Sequence, residues 1–420
     1  MEGVSEDELA PSQGLRAMVA ASVATTLVAL PVFLLGGLAV LIREDLGFSE
    51  TQLGAAVTVY FATSTLCSVP AGRSAERFGS FRSTAAGVAM GVAALIATAV
   101  FTRSWLALLG WLVLAGVSNA YAQMGSNLSL ARHVPLGRQG LAYGIKQAAV
   151  PIGTLLAGVS LPVIGLTVGW RWAFGLSALL AVLFVPTAPR DDSPVARRAP
   201  GNRLRHGDAA TLPLVVVGLG SGLAAASANS FGAFLVESAV SSGVEPARAG
   251  VLYATGSALG IAMRIGSGWA ADRRTGGYLP IVAAMLALGA GGMALLALGA
   301  GAPLVLGTFL GFGAAWSWPG LLNFAIVRLN PHAPAAATGI TQTGVFAGGA
   351  AGPLIFGVTV ERLGYPTAWT TTAMALLVAC LLLLTARRLL LADLNDRRER
   401  GEIHLPGPVR QPQHPSVGSR

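Results

Sequence analysis

Two stretches decide the fold: Gly72-Arg73-Ser74-Ala75-Glu76-Arg77 and its later counterpart Gly268-Trp269-Ala270-Ala271-Asp272-Arg273. Each begins with glycine, reaches a carboxylate after three residues and then an arginine, and each closes a long apolar segment. Their glycines lie 268 − 72 = 196 positions apart. Other glycines keep an offset of 195 or 196, among them Gly47 with Gly243, Gly125 with Gly320, and Gly169 with Gly364. This register indicates a duplicated unit, and many secondary transporters are built from internal repeats.

The composition places both copies in lipid. Hydrophobic residues make up 53% of the 420 residues and charged residues 11%, and the mean hydropathy is +0.64. That leaves too little polar surface for a soluble chain of this length. A spanning helix needs about 20 mostly apolar residues. The sequence therefore predicts an all-α membrane protein with twelve spans in two six-helix bundles, related by a pseudo-two-fold as a parallel repeat: 17–42, 51–71, 83–102, 105–131, 139–166, 169–187, 211–236, 249–269, 279–300, 302–327, 335–360 and 367–390.

Basic residues sort to one side of this predicted topology. Twenty arginines fall in the C-terminal tail and in the loops on the side of Arg73, whereas five fall in the opposite loops. By the positive-inside rule, both termini then lie in the cytoplasm. The same bias explains the pI near 10.5 without a nucleic-acid partner. The predicted segments are a cytoplasmic N-terminal tail (1–16), a first bundle (17–187), a cytoplasmic linker (188–210), a second bundle (211–390) and a disordered cytoplasmic tail (391–420).

The two halves, the long middle loop and the repeated motif resemble the major facilitator superfamily. The motif residues are Gly72, Glu76, Arg77 and Gly79 in the first copy, and Gly268, Asp272 and Arg273 in the second. The resemblance implies transport by alternating access, with the loop acid pairing across the bundle interface to hold one conformation shut. An acid at a helix end beside arginines can form charge-assisted bonds that exist in one rocking state and break in the other. The alternative is that these charges are solvated and set topology alone.

Two basic residues lie inside predicted spans. Lys146, the chain's single lysine, falls in the fifth span and Arg264 in the eighth, and by the repeat their counterparts are Thr341 and Ser68. A charge in a span costs about 2.5 to 3.5 kcal/mol on insertion scales, so such residues normally face a cavity. Lys146 has the alternative of snorkelling to headgroups about 12 Å away. Arg264 has the alternative of serving helix packing or the gate.

The resemblance further implies that the fifth and eighth spans meet, so that Lys146 and Arg264 face one another. Two cations facing a dry cavity repel unless an anion lies between them. No acid or histidine occurs deep in a predicted span, since Glu237 and Glu361 lie near outer helix ends. The simplest anion is the substrate, and Arg264 with Gly268 also resembles the monocarboxylate and organic-anion branches of the family. If protons are coupled, the carrier is then the substrate's own carboxylate or Glu237.

The remaining cavity candidates are neutral. Asn119, Gln123 and Asn127 repeat every four residues in the fourth span, so they share a helix face that can hydrogen-bond a polar ligand. Aromatic and amide side chains elsewhere complete the predicted substrate-binding set: Tyr253, Asn229, Trp318 and Gln342. Each of these also fits a role as a helix-packing contact. Patterns for zinc, phosphate or a catalytic nucleophile are absent from the sequence, so we expect no cofactor, no metal and no enzyme.

The sequence thus predicts a secondary transporter for a small, carboxylate-like organic anion. We expect a monomer in the inner or plasma membrane, with the bilayer and a small-molecule substrate as its partners. The alternative is an exporter of drug-like or neutral metabolites, in which Lys146 snorkels and aromatic residues form the pocket. A membrane sensor on the same fold is a third interpretation. Its expected signalling domain, however, has no place in the short polar linker and tail.

Overall fold

The computed structural model describes residues 6–134, 138–184, 210–273, 276–330 and 334–399, and every regular element in these ranges is a helix. The first half contains α1 (Glu6–Gly37), α2 (Ala39–Leu46), α3 (Glu50–Phe78), α4 (Ser80–Phe101), α5 (Trp105–His133), α6 (Gln139–Ser160), α7 (Leu166–Val168) and α8 (Trp170–Phe184). The second half contains α9 (Thr211–Ser241), α10 (Pro246–Asp272), α11 (Tyr278–Leu296), α12 (Ala302–Leu310), α13 (Pro319–Leu329) and α14 (Pro334–Glu399). Short π-helical turns, Leu161–Gly165 and Gly311–Ala315, interrupt the fifth and tenth predicted spans.

Glycines with positive φ mark several of the chain reversals. Gly47 and Gly243 have φ of 65° and 87°, and Gly169 and Gly364 have φ of 100° and 80°. Glycine enters this region without the steric penalty that a Cβ brings. Both pairs keep the offset found in the sequence, so these turns recur with the period of the predicted repeat. Gly364 also divides α14, whose two parts otherwise run as one continuous element.

Length and composition make nine helical stretches of the described residues long and apolar enough to cross a membrane. One of the nine, Ala337–Asp396, includes the break at Gly364, and the shorter Trp170–Val182 is also apolar. Helix α10 is not among the nine, and it contains Arg248, Arg264 and Asp272. The described residues therefore have an all-helical architecture with several helices apolar enough to span a membrane.

Two predicted boundaries move. Helix α1 begins at Glu6, inside the predicted tail 1–16, and α14 continues to Glu399, nine residues past the predicted end of the second bundle at 390. The C-terminal extension has a plain cause, because the sequence from 391 to 399 has neither glycine nor proline and consists largely of good helix formers. Most of the predicted linker, and the tail from residue 400 onward, lie outside the described residues.

Successive spans run in opposite directions, so the ends of the spans form two faces. We call the end that holds Gly79 and the boundaries of the linker the linker face, and the end that holds Gly47 and Gly364 the distal face. Within the first half α5 packs on α3 and α4, and α1 on α5 and α6, while in the second half α14 packs on α9 and α11. Between the halves α6 packs on α10, α3 on α14, and α1 on α9.

Close backbone contacts join the halves near the distal face. A Cβ built on Gly36 would lie 2.7 Å from the carbonyl oxygen of Gly232, and one on Gly158 would lie 2.7 Å from the carbonyl oxygen of Gly250. The α3–α14 contact is at least as tight, since a Cβ on Gly54 would overlap the Pro353 carbonyl, and one on Gly357 the Glu50 carbonyl. We call these contacts the distal seam. Small residues are what allow helix backbones to approach this closely in a membrane.

Candidate functional site

Lys146 lies on α6, seven residues beyond the start of that helix, and its side chain is buried with 3% exposure. Its ammonium group donates a hydrogen bond to Oδ1 of Asn127 on α5. The snorkelling alternative is not what this conformation adopts, because the side chain points to a polar neighbour within the first half. An ammonium group has three N–H donors. Asn127 takes one of them, and among the described residues no carboxylate pairs with Lys146.

Arg264 lies on α10 and is also buried with 3% exposure. Its Nε and one terminal nitrogen donate to the carbonyl oxygen of Trp316, and its other terminal nitrogen donates to the carbonyl oxygen of Gln147 at 2.6 Å. Gln147 belongs to α6 of the first half, so Arg264 joins the two halves. Its partners are neutral, and in the described part of the chain no carboxylate pairs with it. The packing alternative thus accounts for part of this side chain's hydrogen bonding.

A break in the tenth predicted span provides the Trp316 carbonyl. The π-helical turn Gly311–Ala315 ends there, and α13 begins at Pro319, which has no N–H to donate back to the preceding turn. The Arg264 guanidinium satisfies this carbonyl, and it also lies 5.8 Å from the centre of the Trp316 ring. The planar fork of arginine suits such a site, since it offers several donors in fixed directions.

The structure brings both cations to one turn of α6. Arg264 binds the carbonyl of Gln147, and Lys146 is the preceding residue. The α6–α10 contact is close here, because a Cβ on Gly144 would lie 3.0 Å from the Arg264 carbonyl oxygen and 3.3 Å from the Cα of Gly268. Two buried positive charges with neutral partners therefore lie at the boundary between the halves.

The predicted triplet on α5 forms a chain of polar contacts. Asn119 donates to the hydroxyl of Ser64 at 2.7 Å, Gln123 lies 3.5 Å from Oδ1 of Asn119, and Asn127 accepts from Lys146. All three amides are half-buried. The spacing of four places the three amides on one helix face, where Asn119 contacts Gln123 and Asn127 contacts the lysine.

The second half contains a neutral version of the lysine pair. Gln342 donates to Oδ1 of Asn323 at 3.0 Å, and these residues are separated by 19 positions, like Lys146 and Asn127. By this contact Gln342 occupies the place of Lys146 in the second half, next to Thr341, the counterpart by sequence register. Asn229 is half-buried on α9, where its Nδ2 would lie 2.7 Å from a Cβ built on Gly349.

The predicted aromatic residues lie deeper than a simple cavity lining would require. Tyr253 is fully buried and donates from its hydroxyl to the Gly232 carbonyl at 2.6 Å, so it serves packing in this conformation. Trp318 is 1% exposed, and its indole N–H finds no acceptor among the described residues. Beside Arg264, an aromatic cluster spans the halves, with ring centroids 4.8 to 6.1 Å apart: Phe33, Phe231, Phe312 and Trp316.

The gating motif occupies the linker face. Gly79, with φ of 94°, separates α3 from α4, and the Arg273 guanidinium stacks 3.6 Å from the centre of the Trp269 ring. Glu76 is exposed and forms no ion pair with a described residue. The side chain of Asp272 lies outside the described residues. Among the described residues, Glu76 of the first copy of the motif therefore makes no ion pair across the halves.

Sequence reasoning missed a charged cluster at the distal face. Arg43, which follows α1 on α2, forms ion pairs with Glu50 of its own half at 2.9 Å and with Glu237 of the other half. Glu237 was expected at an outer helix end, but α9 extends to Ser241 and buries that side chain to 7% exposure. Glu361 also crosses the seam, accepting from the backbone N–H of Thr51 at 3.2 Å. The sequence signal for this cluster is that Arg43, Glu50 and Glu237 all lie at distal ends of predicted spans.

The fold and this interior define a class of membrane protein, a helical carrier with charged residues at the boundary of two repeated halves. Residues 21–353 match the sequence profile of the Major Facilitator Superfamily, and the chain belongs to that family. It is therefore a multi-pass membrane transporter and not an enzyme.

Two similar proteins illustrate the relationship. The chain is 27% identical over 364 residues to a chloramphenicol resistance protein of Streptomyces lividans, a match that covers 83% of this chain and 91% of that protein. The crystal structure of the human organic anion transporter MFSD10 (TETRAN) superposes with a TM-score of 0.65 at 18% identity, covering 88% of this chain and 99% of that one. At that identity the structural likeness establishes the fold alone.

Proposed function

We propose that the protein is a twelve-span secondary transporter for a small organic anion, working by alternating access between two six-helix bundles. Dividing α14 at Gly364, and counting the short α8 and the charged α10, gives six spans in each half and supports this architecture. The arginine bias assigns the linker face, with both termini, to the cytoplasm of an inner or plasma membrane.

The seam indicates which state this conformation represents. Helices α3 and α14 touch along the distal seam, and Thr58 donates from its hydroxyl to the Ala350 carbonyl at 2.5 Å. Toward the linker face, a Cβ on Gly72 or on Gly339 would meet open space. The distal side is thus closed, whereas no such contact forms at these two glycines of the linker face. With the linker face in the cytoplasm, this difference supports an inward-facing state.

The observation that carries the anion proposal is the pair of buried cations with neutral partners. Three protein hydrogen bonds use three of the five N–H donors of Arg264, and one bond uses one of the three donors of Lys146. Two N–H groups on each side chain are then left for a ligand. A carboxylate supplies both the missing negative charge and acceptors for these donors, and charge-assisted bonds of this kind are the strong ones.

The test is ligand-induced stabilisation of the purified protein, measured by thermal unfolding with benzoate, oxalate, chloramphenicol and tetraphenylphosphonium. Ligands that bind the folded state raise its apparent stability. We expect benzoate or oxalate to stabilise the parent protein. Lys146→Ala should weaken that binding about 10- to 150-fold, the equivalent of a charge-assisted bond of about 1.5 to 3 kcal/mol. Arg264→Ala should act in the same direction.

Arg248→Ala is the matched control, because Arg248 is a cation on the same helix as Arg264 but with 82% of its side chain exposed. It should leave carboxylate binding unchanged. Equal stabilisation of the parent and both alanine variants by the carboxylates would refute the anion site.

A specific observation favours a second function, the export of neutral drug-like molecules. The relative from Streptomyces lividans is a chloramphenicol resistance protein, and the aromatic cluster offers ring faces on which an aromatic ligand can stack. The same experiment separates the two functions. Stabilisation by chloramphenicol that survives Lys146→Ala, with none by benzoate or oxalate, would establish the exporter in place of the anion carrier.

A further inference from the structure

We propose that Glu237 is a proton-binding site whose ion pair with Arg43 locks the distal face, so that protonation of Glu237 releases the lock. This inference rests on the proposed function, because it assigns a pH-dependent lock to an alternating-access carrier. It uses residues at the distal face and none of the predicted substrate contacts.

The location of Glu237 supports the first step. Its carboxylate is on α9 of the second half and Arg43 is on α2 of the first, so their ion pair exists only while the distal face is closed. The side chain is 7% exposed, and one carboxylate oxygen, Oε2, has no hydrogen-bond partner among the described residues. A buried carboxylate held by one charged partner is stable as an anion only while that partner remains in place.

Arg43 has other partners in its own half besides Glu237. Its Nε donates to the Phe48 carbonyl at 2.9 Å, and one terminal nitrogen pairs with Glu50 at 2.9 Å, all within the first half. When the halves separate, Arg43 keeps these partners, whereas Glu237 loses its described charged partner. The carboxylate then gains a proton more readily, because the neutral acid needs no counter-ion in an apolar surrounding.

A groove of about 380 Å³ gives this carboxylate a route to the distal side. The titratable and charged groups that line it, apart from Glu237 itself, are Arg43, Glu44, Glu50 and Tyr365. Glu50 is held by Arg43, and the Tyr365 hydroxyl has no hydrogen-bond partner among the described residues. Protons from the distal compartment can therefore reach Glu237 without crossing the substrate region.

The proton balance of the step is simple. In the closed state Glu237 is ionised and paired, and the positive charge of Arg43 is shared by two carboxylates. Uptake of one proton from the distal side converts Glu237 to the neutral acid, breaks its ion pair and leaves Arg43 with Glu50. Closing the distal face again requires the proton to return through the same groove to the distal side, so the lock responds to the pH of that compartment.

The experiment measures distal opening without any substrate. Thr58 lies in the α3–α14 contact, half-buried, and Thr58→Cys in a Cys67→Ser, Cys380→Ser background reports access of an impermeant maleimide from the distal side. Ala300→Cys, at an exposed turn of the same face, corrects for the effect of pH on thiol reactivity. We expect the corrected labelling rate to rise about tenfold as the pH is lowered from about 8 to about 5, because protonated Glu237 cannot pair with Arg43.

Glu237→Gln and Arg43→Gln should both label rapidly at every pH, because each variant lacks the ion pair that locks the distal face. Glu361→Gln is the matched control, since Glu361 also crosses the seam but is exposed. It should keep the rise between about pH 8 and about pH 5, because hydrogen bonds hold the pKa of Glu361 below its usual value of 4.5 and its own contribution is lost only below that range.

A parent protein with no pH response, or a Glu237→Gln variant with an unchanged one, would overturn the proton site. Failure of the anion proposal would appear separately, as absence of stabilisation by carboxylates, because the labelling assay contains no substrate. If Glu237→Gln does not fold, Arg43→Gln decides the matter on its own. A pH response in that variant equal to that of the parent protein would refute the proposal.

Discussion

Replacing Gly36 with alanine tests whether the distal seam sets the balance between closed and open states. Gly36 lies on α1 against α9 of the other half, and a methyl group there would lie 2.7 Å from the Gly232 carbonyl oxygen and 3.0 Å from the Cα of Ala233. Ordinary contact begins near 3.4 Å, so the halves must move apart locally by about 3.4 − 2.7 = 0.7 Å. The substitution therefore penalises the closed distal face alone.

The size of the effect follows from packing energetics. An added methyl group in a tightly packed contact costs about 1 to 3 kcal/mol. Alanine also has a higher helix propensity than glycine, by about 1 kcal/mol. Because this gain is the same in both conformations, it does not change the equilibrium between them. Since about 1.4 kcal/mol is a factor of ten, the ratio of distal-open to distal-closed protein should rise about 5- to 150-fold.

The assay is maleimide labelling of the Thr58→Cys reporter from the distal side at a fixed, neutral pH. Gly36→Ala should raise the labelling rate, whereas Gly266→Ala should not, because a Cβ at Gly266 on α10 meets open space. Thermal unfolding of both variants checks that the fold is intact. Unchanged labelling in a folded Gly36→Ala protein would refute the argument that the glycine contacts hold this face closed.

Three further predictions concern charged side chains. Hydrogen bonds, first from Thr51 and then from Ser49, hold the pKa of Glu361 below its usual value of 4.5. Glu361 therefore stabilises the closed distal face fully above pH 4.5, and this stabilisation is lost as the pH falls through the lowered pKa. In Glu361→Gln, the labelling rate of Thr58→Cys should no longer rise in that acidic range. Glu76→Gln should slow labelling of Thr58→Cys from the distal side, because the acid is expected to pair only when the linker face is closed and the distal face is open. The loss of a charge-assisted bond would destabilise that state by up to about 1.5 to 3 kcal/mol. Identical labelling rates in Glu76→Gln and the parent protein would remove the gate assignment. Arg264→Lys should lower the unfolding temperature, because one ammonium group cannot donate to both the Trp316 and the Gln147 carbonyl. A buried carbonyl without a partner costs about 1 to 3 kcal/mol. An unchanged unfolding temperature would contradict the structural role of the Arg264 guanidinium.

The repeat and the spans follow from local rules, and these parts of the fold were predictable. Apolar stretches of sufficient length predict helices, and glycines at a constant offset, such as Gly47 and Gly243, predicted the repeat. The polar stripe on α5 was likewise visible, because a spacing of four defines a helix face. Its end at Lys146 was not, since that contact depends on how α5 and α6 pack.

The partners of Arg264 lay beyond sequence reasoning for a different reason. They are backbone carbonyls, which every residue possesses. The Trp316 carbonyl can accept from Arg264 because the helix is interrupted between the π-helical turn Gly311–Ala315 and Pro319. No side-chain pattern encodes such a partner. The ion pair of Arg43 with Glu237 was hidden by the predicted end of the seventh span at residue 236, one residue before the acid.

The difference between the two halves predicts how an anion would lie in the proposed site. The first half presents the charged pair Lys146 and Asn127, and the second presents the neutral pair Gln342 and Asn323 with much of the aromatic cluster. A carboxylate should therefore face the first half and an attached ring the second, since each end then meets its own chemistry. Lys146→Ala should weaken benzoate and oxalate alike, whereas Trp316→Leu should weaken benzoate and spare oxalate, as measured by thermal stabilisation. Equal losses for both ligands in Trp316→Leu would mean that the ring does not contact this cluster, because oxalate has no apolar part to lose.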